Sequence, residues 1–184
     1  MTLSQDDRQQ LLEMALRAVE HGVDRGFLEV DPRVCTPALQ EERATFVTLK
    51  HHGRLRGCIG VIRPVRPLVL DVVHNAYAAA NRDPRFESVT RAELDGLTVS
   101  ISVLSPPEPL EAGSREALLK ALVPGRDGLL LEGAGHRSTF LPVMWEQIPD
   151  PDAFVGHLER KGGWAYGGWT GADRAWVFQA EYVA

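Results

Sequence analysis

The chain has 184 residues, 44% of them hydrophobic and 24% charged, with a formal net charge of -5 at pH 7. This composition predicts a globular protein of one domain, or of two subdomains that share the chain. The acidic balance argues against nucleic-acid binding, and no apolar run has the roughly 20 residues that span a membrane. With two cysteines and no signal-peptide pattern, we expect a cytoplasmic protein with reduced thiols.

The first half of the chain predicts two helices, the first of them amphipathic, and a hairpin. Ser4 and Asp7 form a capping-box pattern, after which apolar residues recur at helical spacing up to Gly22, a natural stop. A second helix ends before Asp83-Pro84, because the residue before a proline avoids the helical region. In chain order, these elements are a helix over 5–21, strands over 44–50 and 54–61, and a helix over 68–82.

The second half begins with the clearest half-buried strand, in which Leu97, Val99 and Ile101 alternate with small polar residues. Strands joined by hairpins outnumber strands joined by crossover helices. The sequence therefore predicts an α+β fold, with an antiparallel or mixed sheet packed with helices. The remaining predicted elements are a short helix over 114–122, a hairpin of 129–132 with 138–141, a helix over 152–161 and a last strand over 175–183.

The segment Leu55-Arg56-Gly57-Cys58-Ile59-Gly60 is the first candidate site. On a strand, Arg56 and Cys58 project to the same face, and a guanidinium beside a thiol favours the thiolate. Gly57 and Gly60 leave room for another backbone or a ligand to approach. We therefore predict Cys58 and Arg56 as catalytic candidates and both glycines as substrate contacts. The alternative is that Cys58 is a small buried hydrophobe in a central strand.

Three further residues are predicted to contact a substrate. In Asp83-Pro84-Arg85-Phe86, a stiff turn aims Arg85 at a carboxylate or phosphate; the alternative is a turn in which Asp83 pairs with Arg85. Ser102 lies on the polar face of the strand over 97–103, and His136 leads into a later strand that we expect to return to the same site. No metal-ligand spacing and no cofactor motif is visible, so the cofactor stays unknown.

Several motifs, taken in order, resemble the AMMECR-domain family, which in microbes is named AmmeMemoRadiSam system protein A. The resemblance runs nearly end to end, and departs from the usual pattern at Val143 and at Lys161-Gly162-Gly163-Trp164. The matching motifs are residues 46–49, 55–60, 83–86, 101–106, 124–129, 139–142 and 145–147, with Phe154.

The resemblance implies a single AMMECR-type domain over 1–184, made of two unequal subdomains with a groove between them. The larger subdomain combines both chain ends, the smaller comes from the middle, and the cysteine motif is expected near the groove. The family name implies Memo-type and radical SAM protein partners, in a pathway that modifies a small molecule or a protein.

Two functions remain open from the sequence. In the first, the chain is an enzyme or enzyme subunit with Cys58 as its reactive thiol. In the second, it is a non-catalytic binding or adaptor module that uses the same groove to hold a small molecule, a peptide or a partner protein. No histidine is fixed to Cys58 by sequence, which keeps the second function open.

Overall fold

A computed structural model describes residues 2–184, which divide into two compact units. The first unit runs to Pro106 and adds Glu181–Ala184, and the second unit is Pro107–Ala180. Among the described residues, no helix is both long and apolar enough to cross a membrane. The helices and strands in chain order are α1 (Gln5–Asp24), α2 (Pro37–Gln40), β1 (Thr45–His51), β2 (Arg54–Gly60), α3 (Leu68–Asn81), β3 (Leu97–Leu104), β4 (Glu108–Pro109), α4 (Arg115–Ala121), β5 (Gly128–Gly133), β6 (His136–Phe140), α5 (Pro151–Gly162), β7 (Arg174–Phe178) and β8 (Ala180–Val183).

The first unit is built on a four-stranded sheet in the order β2-β1-β3-β8, with α3 packed against β1 and β2. Along β1, Thr45, Val47 and Leu49 are buried, whereas Phe46 and Thr48 are half-buried. This period of two directs one face of the strand into the core that α1 and α3 complete. Each fully buried Val or Leu there contributes about 1.5–3 kcal/mol to the free energy of folding.

A buried polar cluster attaches the start of β1 to α3. The Asp71 carboxylate accepts hydrogen bonds from the Thr45 backbone N–H at 2.9 Å and from its hydroxyl at 2.7 Å. The Asn75 amide donates to the same carboxylate oxygen, also at 2.9 Å. Burial nevertheless raises the pKa of Asp71, because the charged form loses its hydration. The cluster fixes β1, the strand that neighbours the candidate site.

The second unit has a four-stranded sheet in the order β4-β7-β5-β6, with α5 packed against β6. Its core contains Trp145 stacked on Phe154, with ring centroids 3.7 Å apart, and the Trp145 indole N–H donates to the Asp127 carbonyl. The described strand pairs of both sheets are antiparallel. The α+β class predicted from the sequence is therefore confirmed.

Two sequence predictions about element bounds are wrong. Helix α1 passes through Gly22 and ends at Asp24, because Gly22 lies against α3, where an added Cβ would be 2.9 Å from Tyr77 and from Asn81. The last strand predicted over 175–183 is two strands, β7 and β8, which belong to different sheets. Alternating apolar residues predict extended backbone but not the sheet that receives it.

Candidate functional site

A β-bulge lies in β2 at Arg56, two residues before Cys58. Leu49 pairs with Gly57 while Lys50 pairs with Leu55, so Arg56 is the extra residue of the hairpin. A bulge interrupts the alternation of side chains along a strand and changes the direction in which one of them points. The sequence-based argument that Arg56 and Cys58 share a face by simple alternation therefore does not apply at this position.

Cys58 is a free, half-buried cysteine on β2, an edge strand of its sheet. It pairs with Thr48, which on its other side pairs with Ser100, so the three residues form a row across three strands. The Thr48 hydroxyl donates a hydrogen bond to the Cys58 Sγ at 3.3 Å. A hydroxyl directed at sulfur stabilises the thiolate more than the thiol, because the acceptor then carries the charge.

Two side chains bind the backbone N–H and C=O of Cys58, in addition to its pairing with Thr48 in the sheet. Its N–H donates to Asp83 Oδ2 at 2.9 Å, and its carbonyl oxygen lies 3.4 Å from Arg85 Nη2. Arg85 Nη2 also donates to Asp83 Oδ2 at 2.7 Å. On the outer side of an edge strand, such N–H and C=O groups have no strand partner. Here the Asp83–Arg85 ion pair contacts both groups of Cys58.

Asp83 is ionised in the folded protein. The hydrogen bonds from the Arg85 side chain hold the pKa of the Asp83 carboxyl well below its ordinary value, and the N–H of Cys58 lowers it further. Burial opposes this effect, because the side chain of Asp83 is only 2% exposed. The result is an Asp83–Arg85 ion pair that stays formed at the backbone of the residue carrying the thiol.

The Arg56 guanidinium is occupied by a loop that precedes β3. Its Nε donates to Glu93 at 2.6 Å, its Nη1 donates to the Glu87 carbonyl at 2.9 Å, and its Nη2 donates to the Ser88 carbonyl at 3.2 Å. The Arg56 hydrogen bond holds the pKa of Glu93 at about 2. These contacts favour a positioning role for Arg56, and its expected part in activating Cys58 stays a prediction.

Both glycines of the motif lie against other parts of the protein. A Cβ added to Gly57 would be 2.1 Å from the Ala79 carbonyl oxygen of α3. A Cβ added to Gly60 would be 2.4 Å from the Thr45 carbonyl oxygen and 2.3 Å from the Phe46 ring. The close approach of the α3 backbone accounts for the glycine at position 57. Ligand contact at Gly57 and at Gly60 stays a prediction.

Phe86 brings the two predicted arginines together. The Arg56 guanidinium lies 5.8 Å from the centre of the Phe86 ring, and the Arg85 guanidinium lies 5.5 Å from it. Both distances are within the range of cation–π attraction. The alternative that Asp83 pairs with Arg85 is also observed, at 2.7 Å.

Ser102 and His136 lie on different units. Ser102 pairs with Phe46, which on its other side pairs with Gly60, so Ser102 belongs to the second row along the strands from that of Cys58. His136 begins β6 in the second unit, with its ring centroid 4.9 Å from that of Trp164. Substrate contact by either residue stays a prediction.

Sequence reasoning missed Thr48 as the partner of the Cys58 sulfur and Glu93 as the partner of Arg56. The capping-box pattern of Thr90 and Glu93 is visible in the sequence, but its ion pair with Arg56 joins residues far apart in the chain. Within residues 2–184, no group of three or more His, Cys, Asp or Glu side chains is arranged to hold a metal ion.

Comparison with known proteins identifies the family. The AMMECR1 family model matches residues 12–183. A protein of Thermofilum pendens is 36% identical, and the match covers 97% of this chain and 90% of the relative. A protein of Methanothermobacter thermautotrophicus is 40% identical, and the match covers 88% of this chain and 84% of the relative. The crystal structure of an uncharacterized protein from Pyrococcus horikoshii matches with a TM-score of 0.90 at 32% identity, over 98% of this chain and 92% of that one. The chain therefore belongs to the AMMECR1 family.

Proposed function

We propose that this AMMECR1-family protein is thiol-dependent and that Cys58 Sγ is its reactive atom. The observation that carries the proposal is the hydrogen bond from the Thr48 hydroxyl to a half-buried free sulfur. A thiolate is the nucleophilic form of cysteine, and a donor placed on the sulfur favours that form. The second cysteine, Cys35, is buried, and burial raises its pKa, so it is suited to a structural role.

The neighbouring residues have separate roles in this proposal. Asp83 fixes the backbone of Cys58, and Arg56 fixes the loop that ends at Glu93. A nucleophile held on a rigid strand needs less reorganisation to reach a bound substrate. The ligand is a small molecule or a peptide. The candidate ligand contacts are Gly57, Gly60, Arg85, Ser102 and His136.

We also propose a cellular setting for the protein. The resemblance to AmmeMemoRadiSam system protein A supports a place in a cytoplasmic pathway with a Memo-type protein and a radical SAM protein. In that pathway the chain takes part in modifying a small molecule or a protein. The net charge of -5 supports partners other than nucleic acid.

A binding or adaptor module is the second candidate function. It is favoured by one observation: in the part of the chain that the structure describes, the side chain hydrogen-bonded to Cys58 Sγ is the Thr48 hydroxyl, and no imidazole is bonded to the sulfur. A thiol enzyme ordinarily uses a base to remove the thiol proton. In this alternative the same residues hold a ligand without forming a bond to it.

Replacement of Cys58 by serine in the source organism separates the two functions. We expect the Cys58→Ser strain to show the same changes in small molecules and modified peptides as a deletion strain, measured by mass spectrometry, at an unchanged level of folded protein. The Cys35→Ser strain is the control and should resemble the wild type. A Cys58→Ser strain that also resembles the wild type, beside an altered deletion strain, would favour the adaptor.

A further inference from the structure

We propose that Arg85 recognises an anionic group of the ligand, a carboxylate or a phosphate, through the edge of its guanidinium that Asp83 leaves free. The inference rests on the proposed function, because it gives the chemical class of the ligand that reaches Cys58. Arginine is suited to this task because its guanidinium stays charged and each of its terminal nitrogens carries two N–H donors.

The first support is the way in which Asp83 holds the Arg85 side chain. Arg85 Nε donates to Asp83 Oδ1 at 2.9 Å and Nη2 donates to Oδ2 at 2.7 Å, so one edge of the guanidinium is used. Within residues 2–184, no acceptor is hydrogen-bonded to Nη1. The side chain of Arg85 is 53% exposed, whereas that of Asp83 is 2% exposed. The buried Asp83 carboxylate therefore holds one edge of the guanidinium, while the Arg85 side chain remains exposed to solvent.

The second support is the contrast with Arg56. All three guanidinium nitrogens of Arg56 donate to the protein, and its side chain is only 14% exposed. An anion could bind Arg56 only by breaking hydrogen bonds to Glu93 and to the preceding loop. Arg85 can bind an anion through Nη1 without losing any bond it already makes. Arg56 therefore positions the loop that it bonds, and Arg85 binds the anion.

The third support is the proximity of Arg85 to Cys58. Arg85 Nη2 lies 3.4 Å from the carbonyl oxygen of Cys58, so an anion on the free edge lies beside the residue that carries the thiol. The hydrogen bonds to Asp83 raise the pKa of Arg85, so the guanidinium that would meet the anion keeps its positive charge.

The chain contains a matched control for this proposal. Asp31-Pro32-Arg33 repeats the tripeptide Asp83-Pro84-Arg85, and Arg33 Nε and Nη2 bind Asp31 in the same way, at 2.9 Å and 2.8 Å. The side chain of Arg33 is 85% exposed and that of Asp31 is 45% exposed. Arg33 therefore measures how strongly an arginine of this local geometry binds anions at the surface.

Anion binding is measured by nuclear magnetic resonance on uniformly 15N-labelled protein, with sodium acetate and inorganic phosphate as separate probes at constant ionic strength. We expect the Arg85 Nε–H and Cys58 backbone N–H signals to shift saturably, with a dissociation constant about tenfold lower than that from the Arg33 Nε–H signal. Saturation with acetate alone assigns a carboxylate ligand, and saturation with phosphate alone assigns a phosphate ligand. Equal, non-saturating shifts at Arg85 and Arg33 with both anions would overturn the proposal.

The same titration of the Arg85→Gln and Cys58→Ser variants separates this inference from the thiol chemistry. We expect Arg85→Gln to abolish the saturable shift at Cys58, Arg33→Gln to preserve it, and Cys58→Ser to preserve the shift at Arg85. Saturable binding that persists in Arg85→Gln would contradict the role of Arg85. An unreactive Cys58 beside intact anion binding would instead contradict the proposed function alone.

Discussion

The Gly57→Ala variant is expected to lose about 3 kcal/mol or more of its folding stability. An alanine Cβ would lie 2.1 Å from the Ala79 carbonyl oxygen, a backbone atom of α3 that cannot turn away as a side chain would. We expect a loss at or above the upper end of the roughly 1–3 kcal/mol typical of overpacking, because the helix and β2 must separate. Thermal and denaturant unfolding measure this loss.

Gly113→Ala is the control for that variant. A Cβ at Gly113 meets nothing within 4 Å, so its unfolding free energy should stay within about 0.5 kcal/mol of the wild type. A Gly57→Ala protein as stable as the control would show that α3 does not approach β2 as closely as described.

Replacement of Asp83 by asparagine is the second change with a large expected effect. The Asp83 carboxylate accepts from the Cys58 N–H and from the side chain of Arg85, and an asparagine has only one oxygen to serve them. A buried donor left without an acceptor costs roughly 1–3 kcal/mol. We expect a loss of that size in urea unfolding, together with faster hydrogen exchange at the Cys58 N–H.

The stabilisation by Asp83 also depends on pH. Its pKa in the folded protein lies below its unfolded value of 3.8, so its contribution is complete above pH 3.8 and is lost as pH falls from there toward the folded pKa. The stability difference between wild type and Asp83→Asn should therefore shrink below pH 3.8. Asp31→Asn, at the exposed repeat of the tripeptide, should change stability little. Equal losses in both variants would contradict a special role for Asp83.

The helices and most strands could be predicted from the sequence, because each carries its own periodicity and its own end signals. The capping box at Ser4 and Asp7 and the end of α3 before Asp83 are both observed. Positions at which tertiary packing overrides a local signal could not be predicted. Gly22 is a stop signal in isolation but a packing residue beside Tyr77.

The bulge at Arg56 limited prediction of the site. With a two-residue turn at His52-Gly53 and no bulge, Cys58 would pair with Val47 and share its buried face. One extra residue instead pairs Cys58 with Thr48, whose side chain is half-buried. A one-residue change of register moves a side chain to the opposite face, and no sequence signal marks the bulge with certainty.

The repeated tripeptide shows the same limit for the ion pairs. Asp31-Pro32-Arg33 and Asp83-Pro84-Arg85 have the same residues and the same local hydrogen bonds. Among residues 2–184, Asp83 has a further hydrogen-bond partner that Asp31 lacks, the Cys58 N–H, supplied by a strand that is distant in the sequence. Local chemistry could therefore predict the turn, whereas its role at the site required the fold.

The most direct test of a reactive Cys58 is its alkylation by iodoacetamide at pH 7 in the Cys35→Ser protein, folded and unfolded in guanidinium, followed by peptide mass spectrometry. The thiolate attacks the methylene carbon, forms the S–C bond and releases iodide. Because the folded thiol is half-buried, an unactivated sulfur should react more slowly than in the unfolded chain. We predict that folded Cys58 reacts at least as fast as unfolded Cys58. Labelling that occurs only as the chain unfolds would contradict this account and leave a structural cysteine.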